Sequence, residues 1–321
     1  MGATRTPSAA APLLPDRSAA RRRRPRSRGG QPWPYLLVLP SLVAIGALFG
    51  YPVWLLLRIS VQQLGLAELI TRRTVWVGLA NYAEILAEPG FWTVVGRTLA
   101  FTLANVALTM ICGTAIGLLL VRLGRAMRLV VSTSLVLAWA VPIVTATVLW
   151  QWLFDSTYGV LNHVLTAVTP WDFTGHDWFA TGLSTFGVIT AIIVWQATPF
   201  VALTVQAGLL AVPGELYEAA RMDGAGPWRT FRSITVPMIR PILTVLTFLS
   251  AIWDFKVFTQ VWAVRQGGPD GQTVTLPVYL YDLGIASSSF GPAAAGAVLM
   301  VLILAVCLVF YLRRMLRTEF D

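Results

Sequence analysis

The single lysine of this 321-residue chain, Lys256, follows Phe255 and not a glycine. A phosphate-cradling Walker A loop needs a Gly-Lys pair, so the chain has no such loop with which to hydrolyse a nucleotide. His163 and His176 lie far apart in sequence without cysteines or clustered acids beside them, which argues against a metal site. Cys112 and Cys307 both fall in strongly apolar runs, where cysteine behaves as a small hydrophobe and not as part of a disulfide framework. No nucleophile-and-base constellation is evident. The sequence therefore predicts no enzyme, no catalytic residue, no metal and no cofactor.

The remaining polar chemistry is arranged in stripes. Thr244, Thr247, Ser250 and Asp254 follow spacings of three, three and four residues, and Thr98, Thr102, Asn105, Thr109 and Cys112 follow four, three, four and three. Both patterns place their members on one face of a helix. Such faces either line an aqueous path for a polar solute or bind helices to one another, and packing is the commoner use. Thr98, Asn105, Thr247, Ser250 and Asp254 are the substrate-path candidates. A carboxylate at the centre of a membrane helix costs about 2.5 to 3.5 kcal/mol on insertion scales, so Asp254 is expected to face other helices or water. Lys256 and Gln260, one turn apart, read as snorkelling or loop-anchoring groups.

These residues need elements to hold them, and composition says which. Hydrophobic residues make up 56% and charged residues 12%, with a mean hydropathy of +0.68. A soluble domain carries roughly 25% charge. The expected class is all-α, a polytopic membrane protein with about six transmembrane helices. The spans fall near 35–57, 98–121, 130–152, 184–210, 239–262 and 292–312. Pro40 and Pro52 interrupt the first, which membrane helices tolerate when neighbours satisfy the freed backbone groups. That first run exceeds the usual 7 to 15 residues of a signal-peptide core and lacks a small-residue cleavage site, so it reads as a retained helix. Gly113 and Gly117, and the run from Ala293 to Gly296, predict close helix packing. Trp150 and Trp152 read as interfacial anchors.

Arginine is distributed by side. One side of the membrane would hold Arg5, Arg17, the run Arg21 to Arg28, then Arg122, Arg125, Arg128, Arg221, Arg229, Arg232, Arg240 and the C-terminal Arg313, Arg314 and Arg317. The other has Arg58, Arg72, Arg73, Arg97 and Arg265, diluted by acids. The positive-inside rule then places both termini in the cytoplasm. Residues 1–32 read as a disordered basic cytoplasmic tail drawn to anionic lipid, and not as a nucleic-acid binder; residues 33–321 read as the transmembrane domain.

Between the fourth and fifth spans lies a polar cytoplasmic loop, 211–238. Val212-Pro213-Gly214 breaks the span, and Glu215 to Met222 carries good helix formers with acids in the first turns. Gly224, after Asp223, is placed as a left-handed helix stop. Gly226-Pro227 restarts a helix in which Trp228 and Phe231 form an apolar edge, and Pro237 is expected to end the segment as the fifth span begins.

The spacing Glu218-Ala219-Ala220, then Gly224, then Ile234 and Val236-Pro237 resembles the EAA loop of binding-protein-dependent ABC importer permeases. The departure is Val236 where that family usually has Leu. Trp195-Gln196-Ala197-Thr198-Pro199-Phe200, Gly78-Leu79-Ala80-Asn81-Tyr82, Pro89-Gly90-Phe91-Trp92, Tyr158-Gly159-Val160-Leu161-Asn162 and Gly267-Gly268-Pro269 are similar to segments of its sugar-type members, related to maltose and glycerol-3-phosphate permeases. The resemblance covers about residues 35–315.

It implies the type I importer fold in the cytoplasmic (inner) membrane and a permease subunit moving a carbohydrate by alternating access. It also implies a second, different permease subunit, two cytoplasmic ATPase subunits and an extracytoplasmic sugar-binding protein. Glu218, Ala219, Ala220, Asp223, Gly224, Trp228 and Phe231 would couple to the ATPase. The alternatives are an ion-coupled secondary transporter using Asp254, a glycerol-3-phosphate or polyol importer subunit, and a non-transporting scaffold.

Overall fold

The protein is described by a computed structural model covering Gly2 and residues 33–319, so the expected tail over 1–32 lies, apart from Gly2, outside the described residues. The chain divides at Pro52 into two compact units. In the first, α1 (Trp33–Ile45) carries Pro40 in its interior and continues through a π turn, Gly46–Gly50, into the start of α2 (Tyr51–Ser60). Pro52 has no N–H to offer the carbonyl one turn earlier, and the widened turn lets the helix pass it unbroken.

In the second unit a small antiparallel ribbon pairs β1 (Gln62–Gln63) with β2 (Val75–Trp76) around α3 (Leu66–Thr71). The helices that follow are α4 (Ala80–Ala87), α5 (Pro89–Arg122), α6 (Arg125–Trp139), α7 (Ile143–Leu153), α8 (Val160–Val168) and α9 (Gly182–Leu210). After them come α10 (Gly214–Met222), α11 (Pro227–Thr230), α12 (Val236–Phe255), α13 (Thr259–Arg265), α14 (Leu276–Tyr281) and α15 (Phe290–Glu319). Among the described residues five helices are long and apolar enough to cross a membrane, or six with one bent pair.

That bent pair corrects the third expected span. Instead of one rod over 130–152, α6 and α7 meet at 100°. The cause is Pro142, which lacks an N–H and pushes Val141 out of the helical region, so α6 ends and α7 restarts with Pro142 as its cap. The Val141 carbonyl left free at the break accepts a hydrogen bond from Gln196 Nε2 on α9, at 3.3 Å. Trp150 is also not a simple interfacial anchor. Its ring lies 5.6 Å from Phe154 and 5.9 Å from Trp195, against the core cluster around Ile189 and Ile192, while Trp152 is exposed.

α5 and α9 form the centre. A Cβ on Gly113 would stand 2.5 Å from Val201 Cγ1, and one on Gly117 would stand 2.8 Å from Val205 Cγ1 and 2.9 Å from the Ala202 carbonyl. The two glycines thus allow the backbones to approach as the G-x-x-x-G spacing predicts. In the other small-residue run, Gly296 packs against Leu280, and Ala295 is fully buried.

At the end of the bundle opposite residues 211–238, side chains tie loops to helices. Asn81 Nδ2 donates to the carbonyls of Ser60 and Gln62, both at 2.9 Å. Asn162 joins His176 and Trp178: its Nδ2 donates to the His176 carbonyl at 2.9 Å, and its Oδ1 accepts from Trp178 Nε1 at 2.6 Å. Arg97 Nη1 donates to the carbonyls of Gly271 and Val274 at 2.7 and 3.1 Å, pinning the 267–275 loop to α5. At the other end Arg128 satisfies the open carbonyls where α5 stops, donating from Nε to Leu120 and from Nη2 to Val121 and Leu123 at 2.9 to 3.1 Å.

Candidate functional site

The loop between α9 and α12 folds as a short helix, a tight turn and a second short helix. α10 begins after Pro213, with Glu215 in its first turn and Arg221 in its last, both favourable to the helix dipole. It ends in a full Schellman motif. Gly224 takes φ +71°, its N–H donates to the Arg221 carbonyl at 3.1 Å, and the Ala225 N–H donates to the Ala220 carbonyl at 2.9 Å. The expected left-handed stop is present, with Asp223 at the C-cap.

α10 shows two faces. Ala220 is buried, and Tyr217 Oη lies 3.3 Å from Thr235 Oγ1, which holds α10 against the start of the next helix. Glu218, Ala219 and Met222 face away and are exposed, Met222 at 88%. Trp228 is exposed at 71%, with its ring 5.7 Å from that of half-buried Phe231. Glu218, the small Ala219 and the large apolar Met222 are thus open on α10, and Trp228 is open on α11, as residues that meet another protein would be.

Pro237 does not end the segment as expected. α11 runs through a π turn, Phe231–Thr235, directly into α12, and the Val236 N–H reaches back to the Phe231 carbonyl. The wider turn accommodates the donor that Pro237 lacks. α11 and the fifth span are therefore one continuous helix from Pro227 to Phe255, to which α10 is joined through the turn at Asp223–Gly226.

The far end of α12 carries Asp254, only 5% exposed, with Oδ2 lacking any hydrogen-bond partner among the described residues. It lines a cleft of about 340 Å³ between the α6–α7 break, α9 and the turn after α12. Its wall is aromatic: the rings of Trp139 and Phe200 stack at 6.2 Å, and those of Phe200 and Trp253 meet edge-on at 5.4 Å. Gln196, Lys256 and Gln260 supply polar groups around it. A concave, largely apolar pocket with a few convergent polar groups is the usual form of a small-molecule site.

Of the five substrate-path candidates, Asp254 alone lines this cleft. Thr98 Oγ1 donates to the Val94 carbonyl and accepts the Leu276 N–H at 2.8 Å, joining α5 to the start of α14. Asn105 is fully buried and donates to the Phe101 carbonyl. Thr247 donates to the Leu243 carbonyl one turn back, and Ser250 is buried. Sequence reasoning gave no role to Trp139, Gln196, Phe200 or Trp253. Gln196 and Phe200 stood inside the quoted Trp195–Phe200 motif, and Pro142 was the available signal for the break that opens the cleft.

Residues 109–317 match the family described as the binding-protein-dependent transport system inner membrane component. The chain is 47% identical to the diacetylchitobiose uptake system permease protein DasB of Streptomyces coelicolor, over 94% of this chain and 92% of the relative. It is 32% identical to the trehalose/maltose transport system permease protein MalF of Thermococcus litoralis, over 86% and 91%. In fold it is similar to the solved bacterial ABC transporter involved in import of the acidic polysaccharide alginate, with a TM-score of 0.76, 19% identity, and 89% and 96% of the two chains covered.

Proposed function

The chain belongs to the family of binding-protein-dependent transport inner membrane components, and from that premise we propose that it is one half of the membrane channel of an ATP-driven carbohydrate importer. It is a polytopic inner-membrane permease and not an enzyme; in such importers ATP is hydrolysed on separate subunits. The proposal assigns it a second permease subunit, two ATPase subunits at the Glu218–Phe231 handle, and an extracytoplasmic binding protein at the opposite end. The arginine bias supports cytoplasmic termini, with residues 1–32 as a tail near anionic lipid and 33–321 as the membrane domain.

The observation that carries this reading is the continuity of α11 with α12, against which α10 is held by the Tyr217–Thr235 contact. Closure of the ATPase dimer would push on Glu218, Ala219 and Ala220. The Gly224 stop and the Tyr217–Thr235 contact would pass that displacement into the fifth span, at whose far end Asp254 faces the cleft. α10, braced on Thr235, and the continuous α11–α12 helix then link the energy source to the solute path, as alternating access requires.

The aromatic cleft supports a saccharide as the solute, since ring faces pack on the C–H faces of sugars while carboxylate and amide groups take their hydroxyls. The likeness to a diacetylchitobiose permease favours an N-acetylated disaccharide. ATP-dependent uptake of N,N′-diacetylchitobiose by the complete reconstituted system tests this. No uptake of any saccharide by an assembled complex would refute it.

A further inference from the structure

The start of α9 is tied to a loop from far along the chain. Thr181 caps the helix by accepting the Ser184 N–H, and the Gly182 N–H, an orphan donor of the first turn, donates to Gln272 Oε1 at 2.9 Å, 90 positions away. Glycine permits this approach, since a Cβ at 182 would stand 2.6 Å from Gln272 Cβ. The loop itself is held in one shape. The Gln272 N–H donates to the Pro269 carbonyl at 2.8 Å, Thr273 Oγ1 donates to the Gly268 carbonyl at 2.7 Å, and Arg97 on α5 grips the Gly271 and Val274 carbonyls on either side of Gln272. Arg265, Gln266, Asp270 and Gln272 are exposed, which makes this braced tip polar, as suits a soluble protein that docks and releases.

α9 joins that end of the bundle to the other. It runs as one helix from Gly182 to Leu210, about 42 Å at 1.5 Å per residue, packed closely on Gly113 and Gly117 of α5. At its end the Ala211 and Val212 N–H groups donate to the Gly208 and Leu209 carbonyls at 3.2 and 3.3 Å, and α10 starts two residues later. We infer that Gln272 is a positioning residue: docking of the sugar-loaded binding protein on the Asp270–Gly271 tip passes through its bond to Gly182 into α9, and so to α10 and the ATPase. This rests on the proposed importer function and adds the residue that connects its two ends. Hydrogen bonds between rigid elements are the physical carriers of such coupling, and a bond to the first residue of a helix moves the helix as a body.

The test uses the complete permease–ATPase complex in nanodiscs and reads the ratio of ATPase rates with and without purified binding protein loaded with N,N′-diacetylchitobiose. Gln272→Ala should lower that ratio about threefold or more, the scale one hydrogen bond supports. Gln272→Glu should restore it, because a carboxylate keeps the acceptor and suits the N-terminus of α9, whereas Gln272→Asn, one methylene short, should not. A photo-crosslinking residue at Asp270 should capture the loaded binding protein. An unchanged ratio in Gln272→Ala, no restoration by Gln272→Glu, or no capture at Asp270 overturns the inference while leaving the transport reading standing. Failure of Gln272→Ala to assemble overturns it too, since the bond would then serve the fold. A wild-type complex that imports no saccharide counts instead against the importer function.

Discussion

The Ala225 N–H donates to the Ala220 carbonyl at 2.9 Å, closing α10 over a glycine held at φ +71°. The bond fixes where the chain turns back toward the fifth span, and so fixes the angle at which the exposed face of α10 is presented. Gly224→Val should therefore act far beyond its size. A β-branched residue in the left-handed region costs about 1–2 kcal/mol locally, enough to shift the turn. The assembled variant should hydrolyse ATP without transport, or fail to retain its ATPase on purification. Coupled uptake at the wild-type rate would show that the turn is not a coupling part.

The α5–α9 contact makes a stability prediction. Gly117→Leu should destabilise the protein by roughly 1–3 kcal/mol, because its side chain must displace Val205 and meets the Ala202 backbone. Gly96, on the same helix with open space around its Cβ position, is the control, and Gly96→Ala should be neutral or slightly stabilising. Thermal unfolding in detergent distinguishes the two, and equal midpoints for both variants would contradict the packing account.

Arg128 does more than add to the arginine bias of one side of the sequence. Its guanidinium covers three carbonyls at the end of α5, so Arg128→Ala should cost about 1–3 kcal/mol by leaving them open. Arg128→Lys keeps the charge but not the fork, and should recover only part of the loss. Full recovery by lysine would mean that charge alone matters there.

One loop has a predicted acid response. The backbone N–H groups of Tyr158 and Thr157 donate to Asp155 and hold its carboxyl below the ordinary carboxylate range. A folded-state value below the unfolded one gives stability that is present above the unfolded pKa and is lost as pH falls through the folded pKa. The loop should thus loosen below about pH 4, and Asp155→Asn should flatten that response. Hydrogen exchange at Thr157 and Tyr158 across this range reads it directly; an identical acid profile in the variant would assign the response elsewhere.

How far the sequence carries depends on whether a feature is local. The Schellman stop was legible because Asp223-Gly224-Ala225 encodes it within a few residues, and Gly113 and Gly117 announced their contact by spacing alone. The bend at Pro142 and the passage through Pro237 were misjudged in opposite directions. Proline next to a π turn can be absorbed, while at Val141-Pro142 the helix breaks and Gln196, 55 positions away, accommodates the open carbonyl. The cleft was legible only at Asp254. Its other walls, Trp139, Gln196, Phe200 and Trp253, come from three separate segments, and their meeting is a property of tertiary packing.

The most direct measurement is saccharide uptake into proteoliposomes carrying the complete complex, with ATP and ionophores varied separately. The account predicts that uptake of N,N′-diacetylchitobiose requires ATP on the ATPase side and the binding protein on the other, and is unaffected by collapsing ion gradients. Uptake that proceeds without ATP and is abolished by an ionophore would contradict it.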